Sequence, residues 1–115
     1  MIKIYHNPRC RKSREGLALV EASGQPYEIV YYLVTVPSKQ QLKEIVNQLG
    51  IAPIDLVRTQ EAIWKSEYKG KELTDDMILE AMSKNPKLIE RPIVLDNRKG
   101  VVGRPPEKIS KFLGS

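Results

Sequence analysis

The chain has 115 residues, 41% of them hydrophobic and 29% charged, with a net charge of +5. That length predicts one domain over residues 1–115 with a core of its own, and the composition is globular rather than disordered. No apolar run reaches the ~18 residues of a membrane helix, and no signal-peptide pattern precedes the first strand, so a soluble cytoplasmic protein is expected, without a membrane partner.

In chain order, Ile2–Tyr5 reads as a strand running into the turn residues His6-Asn7-Pro8. A helix follows from about Cys10 to Ala22, stopped by Ser23-Gly24, and Tyr27–Tyr32 is β-branched and aromatic enough for a second strand. This opening is a β-α-β unit with parallel strands. Ser38-Lys39-Gln40-Gln41 is a capping box ahead of Leu42, Ile45, Val46 and Leu49, an amphipathic helix closed by Gly50. Pro53 opens a short helix ending near Val57, and Thr74-Asp75-Asp76 opens another with Ile78, Ala81 and Met82 as its stripe. Pro92–Leu95 and Val101-Val102 flank the turn Asp96–Gly100 and predict a hairpin. Pro105-Pro106 introduces a last helix carrying Ile109, Phe112 and Leu113. The expected fold is therefore α/β, a thioredoxin-like β-α-β…β-β-α core with a helical insertion between the second and third strands. No heptad or long apolar stripe is present, and a monomer is expected.

The chain has one cysteine and one histidine. Those counts exclude an internal disulfide, a zinc site built on several cysteines and HExxH metalloprotease chemistry, and no metal or bound cofactor is expected. Neither GxxxxGK[ST] nor GxGxxG occurs. Basic residues are frequent early (Lys3, Arg9, Arg11, Lys12 and Arg14), and the four around Cys10 have no aromatics between them, so a nucleic-acid partner is not expected either. The cluster belongs instead to Cys10. A free thiol with a pKa near ~8.5 is only about 3% ionised at pH 7. A place at the start of a helix, among cationic neighbours, favours the nucleophilic thiolate.

The spacing narrows the chemistry. Cys10-Arg11-Lys12-Ser13 is C-x-x-S, so no second thiol resolves an oxidised Cys10, and the position that would carry the arginine of a C-x₅-R phosphatase loop is Gly16. A monothiol nucleophile regenerated by an outside thiol remains. A loop leading into a helix start also binds anions through its unpaired N–H groups. Arg58, Arg91 and Arg104, each beside a structure-breaking signal, carry the planar fork suited to tetrahedral oxyanions, although singly each reads as a surface residue.

The run His6-Asn7-Pro8-Arg9-Cys10-Arg11-Lys12-Ser13-Arg14 resembles the H-N-P-x-C-x-x-S-R segment of the glutaredoxin-linked arsenate reductases, which have a thioredoxin-like fold. The resemblance continues, in order, through Leu56-Val57-Arg58-Thr59, Thr74-Asp75-Asp76, Glu90-Arg91-Pro92-Ile93-Val94 and Gly103-Arg104-Pro105. It implies that Cys10 attacks arsenate, that Arg58, Arg91 and Arg104 hold the oxyanion, and that glutathione, as co-substrate, and glutaredoxin release arsenite, an activity of arsenic detoxification. His6 then either orients the loop or tunes the thiol. Ser13 either donates to the thiolate or satisfies a backbone group, and Asn7 and Arg14 shape the loop. The resemblance also implies a cis peptide bond at Pro92. The same fold family contains Spx-like regulators that bind RNA polymerase and usually carry C-x-x-C. The C-x-x-S run with three arginines points to the enzyme over that regulator, while a thiol-dependent oxidoreductase for another substrate and an anion-binding module without turnover stay as alternatives.

Overall fold

A computed structural model of the chain describes residues 1–114; Ser115, the last position of the expected single domain, lies outside the described residues. The fold contains β1 (Ile2–Tyr5), α1 (Arg11–Ala22), β2 (Tyr27–Val30), α2 (Lys39–Leu49), α3 (Ala62–Glu67), α4 (Asp75–Lys84), β3 (Ile93–Leu95), β4 (Gly100–Val102) and α5 (Glu107–Leu113), with 3₁₀ turns at Pro53–Leu56 and Pro86–Leu88. The described residues form two compact units. Residues 1–35 with the chain from Arg91 onward make the first, and Val36–Glu90 the second.

The first unit holds a four-stranded sheet in the order β2-β1-β3-β4. β1 pairs parallel with β2 and antiparallel with β3, which pairs antiparallel with β4. This is the expected β-α-β…β-β-α core. Its register follows from side-chain alternation. Ile2 and Ile4 turn to one face while Lys3 stays exposed, and Ile4 lies opposite Ile29 on one side and Val94 on the other. Val20 of α1 and Ile109 of α5 complete a cluster with Ile2, Ile4 and Val94. Each such side chain contributes about 1.5–3 kcal/mol on leaving water. β3 is buried on both faces, consistent with its unbroken Ile93-Val94-Leu95 run. β2 stops at Val30, short of the expected Tyr32. Its parallel partner ends at Tyr5, and the last ladder-like bond is from His6 N–H to the Val30 carbonyl, 2.9 Å.

The second unit is the helical insertion. Ser38 and Gln41 close the predicted capping box at α2 (Ser38 Oγ accepts from the Gln41 N–H at 3.1 Å), and Gly50 ends the helix at φ 68°. Thr74 caps α4 by accepting from the Met77 N–H, 3.2 Å. α2 and α4 pack together and bury Leu42, Ile45, Val46, Ile78, Leu79 and Met82. α3 is absent from the sequence reading. At six residues it has too few positions to show a periodicity, its first turn has no side-chain cap, and it is anchored by buried Trp64 stacked on Tyr68. Among the described residues no helix is long and apolar enough to cross a membrane.

Candidate active site

The loop from β1 to α1 is held by its own side chains. Asn7 Oδ1 accepts the Arg9 N–H at 3.0 Å, its carbonyl accepts the Cys10 N–H at 3.0 Å, and Arg14 Nη1 donates to the Pro8 carbonyl at 3.0 Å. Ser13, fully buried in the first turn of α1, accepts the Asn7 N–H at 2.9 Å and is hydrogen-bonded to His6 Nδ1 at 2.7 Å. Of the two roles open for Ser13, this geometry supplies the backbone one. The contact of His6 with Ser13 gives the imidazole a fixed orientation, and its ring also lies 6.0 Å from that of Tyr31, centroid to centroid, a neighbour that sequence spacing does not reveal.

Cys10 is the N-cap of α1, in extended conformation (φ −95°, ψ 123°), partly exposed, and its side chain makes no capping hydrogen bond. The first turn of α1 contains no acidic residue and three cations, Arg11, Lys12 and Arg14. Cations at this end oppose the helix dipole, whose positive pole favours anions. A helix start that breaks the charge rule while leaving N–H groups uncapped is suited to receive an anion. Arg11 and Lys12 are partly neutralised by Glu15, at 3.4 and 3.8 Å, so the local field is weaker than the count of cations alone implies.

Burial lowers the pKa of His6 below its ordinary 6.5; hydrogen bonding at Ser13 opposes that effect, and the charge of Arg14 reinforces it. His6 is the sole histidine, which makes the consequence measurable. As pH falls through ~6.5, the unfolded chain gains a proton that the folded chain does not, so stability declines until the lower folded pKa is passed. We expect the urea midpoint to fall between about pH 7.5 and 5.5, and this part of the slope to vanish in His6→Asn. A wild-type midpoint that rises on acidification over that interval is the contrary result.

Arg91 and Arg104 lie together in the first unit. Gly103 N–H donates to the Pro92 carbonyl at 2.8 Å, and Arg104 Nη1 to the Arg91 carbonyl at 3.2 Å. Arg91-Pro92 is cis, as the resemblance implied, and so is Arg104-Pro105. Pro92 also meets α1, because a Cβ on Gly16 would sit 2.7 Å from its Cγ and 2.8 Å from Ile109 Cδ1. On Gly103 a Cβ would strike Ile109 and lie 3.0 Å from Pro92 Cγ. Both glycines are close-packed positions whose constraint is not visible in the sequence, since only the packed fold shows that hydrogen is the side chain that fits.

Arg58 belongs to the second unit, just beyond the first 3₁₀ turn. Its N–H donates to the Leu88 carbonyl at 2.7 Å beside a Val57–Ile89 bridge, and Glu90 N–H donates to the Leu56 carbonyl at 2.8 Å. Its guanidinium is held by Glu61 at 2.8 Å and faces Glu90 at 3.6 Å, two carboxylates that the sequence reading did not single out. Among the described residues no group of three or more His, Cys, Asp or Glu is placed to hold a metal ion.

The chain matches the ArsC family over residues 5–112. It is 45% identical over 114 residues to an arsenate reductase of Neisseria meningitidis, covering 97% of each chain. Its structure is similar to that of a putative arsenate reductase from Yersinia pestis, with TM-score 0.91, 50% identity, and coverage of 96% of this chain and 99% of that one. An arsenate reductase from Vibrio cholerae is similar at TM-score 0.91 and 44% identity, covering 96% and 95%.

Proposed function

The chain belongs to the ArsC family, and from that premise we propose that it is an arsenate reductase whose nucleophile is Cys10. The observation that carries the reading is the sole cysteine of the chain standing at the uncapped, cationic start of α1. The Cys10 thiolate attacks arsenic, an S–As bond forms, and one arsenate oxygen leaves as water after taking up protons. This condensation changes no oxidation state. Glutathione thiolate then attacks the Cys10 sulfur, and the S–As electron pair stays on arsenic, which falls from As(V) to As(III) and leaves as arsenite. Glutaredoxin attacks the glutathione sulfur of the mixed disulfide and returns Cys10 as thiolate. The external thiols are required because the chain supplies no second cysteine. A cytoplasmic setting, where thiols are kept reduced, suits this cycle. No bound cofactor enters it.

Arg91, Arg104 and Arg58 hold the oxyanion in this reading. The pairing of Arg104 with the Arg91 carbonyl supports the first two. Hydrogen bonds to charged groups contribute about 1.5–3 kcal/mol, so Arg91→Ala and Arg104→Ala are each expected to raise the KM for arsenate about ten- to a hundredfold. Alkylation of Cys10 by iodoacetamide should persist in both. A KM equal to wild type in both variants removes these arginines from the site.

The deciding experiment is arsenite formation from arsenate with glutathione and glutaredoxin, against parallel reactions with thioredoxin and thioredoxin reductase. Turnover only with the first pair supports the proposed thiol donors. Turnover only with the second keeps the reductase and replaces the donors.

A further inference from the structure

The Arg58 guanidinium already has a carboxylate beside two of its nitrogens. Glu61 Oε2 accepts from Nη1 at 2.8 Å and Glu90 Oε1 lies 3.6 Å from Nε, so one guanidinium faces two carboxylates. All three side chains are only about a quarter exposed, at 25%, 28% and 26%. That partial burial makes these charges interact more strongly than they would on an open surface.

Both glutamates have their backbone hydrogen-bonded, and Glu61 N–H donates to the Arg58 carbonyl at 3.1 Å. Glu90 follows backbone pinned at Leu88 and Ile89, and its own N–H is bonded to Leu56. Glu61 begins α3, and its carbonyl does the structural work by accepting from the Trp64 and Lys65 N–H groups at 3.1 and 3.2 Å. Its side chain takes no part in capping the helix. The carboxylate can therefore leave Arg58 without loosening α3.

We propose that Glu61 is a resident competitor for the Arg58 guanidinium: it occupies the Nη1 edge in the free protein and yields that edge when an oxyanion binds. Glu61 is in this sense a positioning residue, which sets oxyanion affinity through Arg58 without touching the substrate. The inference rests on the reading of Arg58 as an oxyanion ligand. Phosphate and arsenate share the tetrahedral dianionic form that two guanidinium N–H groups recognise, so the competition applies to both.

The test measures arsenate binding by calorimetry in the full chain carrying Cys10→Ser, where no adduct forms. Adding Glu61→Gln should lower the Kd for arsenate about two- to fivefold, the range expected for loss of one partly exposed ion pair. Adding Arg58→Ala instead should raise it. In the variant carrying all three changes the effect of Glu61→Gln should disappear, because its target is gone. With Cys10 intact, Glu61→Gln should lower the KM for arsenate while kcat stays within about twofold, a split that a folding defect does not produce. Glu61→Ala, which removes the hydrogen-bonding group too, should act in the same direction. An unchanged or higher Kd in both Glu61 variants overturns the competitor. An unchanged Kd in Arg58→Ala overturns the reading of Arg58 itself.

Discussion

Serine in place of Cys10 should end arsenate reduction, with kcat/KM falling at least about a thousandfold, as expected when a covalent nucleophile is removed. The fold should survive and even gain. Cys10 makes no capping hydrogen bond at the start of α1, whereas serine is among the preferred N-caps and typically contributes about 1 kcal/mol there. A serine variant that is inactive and melts at or above the wild-type temperature separates chemistry from folding in one substitution. Retained turnover would show that Cys10 is not the nucleophile. A large fall in melting temperature would show instead that the thiol has a packing role that its partial exposure does not suggest.

The second large effect is expected at Gly16, through packing. Gly16 lies on the face of α1 pressed against Pro92 and Ile109, where even one added carbon would approach Pro92 Cγ to 2.7 Å. The proline ring cannot bend away and Ile109 is fully buried, so the helix itself must move. Gly16→Val should cost about 3 kcal/mol, toward the upper end of ordinary overpacking. The melting temperature should drop by roughly 10 °C for a chain of this size. Because Cys10 is the N-cap of α1 and Pro92 follows Arg91, the same displacement shifts the proposed nucleophile against a proposed oxyanion ligand. An ångström of misplacement can cost up to about a hundredfold in rate, and a fall in kcat/KM of tenfold or more is expected. Ala18→Val, on the exposed side of the same helix, should lose only helix propensity, about 0.5 kcal/mol. Equal stability losses at the two positions would show that the contact with Pro92 is not what restricts residue 16.

The two positions illustrate two kinds of legibility. Cys10 is marked as a candidate nucleophile by its neighbours in the chain, because a helix start, a run of cations and the lack of a second thiol are all read directly from the sequence. In the sequence Gly16 reads as a position within the first helix and as the residue that excludes a phosphatase loop. Its packing role depends on Pro92, 76 positions away in number but adjacent in the fold. The same division holds for the arginines. Their family resemblance marked Arg58, Arg91 and Arg104, whereas the carbonyl that receives Arg104 and the carboxylates that hold Arg58 appear only after folding.

By itself the sequence determined what short-range physics determines. The capping box at Ser38 and Gln41, the left-handed glycine at Gly50, the Thr74 cap and the alternation of Ile2 and Ile4 each complete their interaction within a few residues, so the chain carries the whole signal. Strand order, the end of β2 at Val30, the six-residue α3 and the Val57–Ile89 bridge were decided by tertiary structure. Local preference at Tyr31-Tyr32 favoured a longer strand, but a strand continues only while a partner lies beside it, and β1 had already ended at Tyr5. Partners brought together by folding from distant parts of the chain leave no periodicity behind, and for that reason a candidate nucleophile is legible in the sequence while the contacts around it are not.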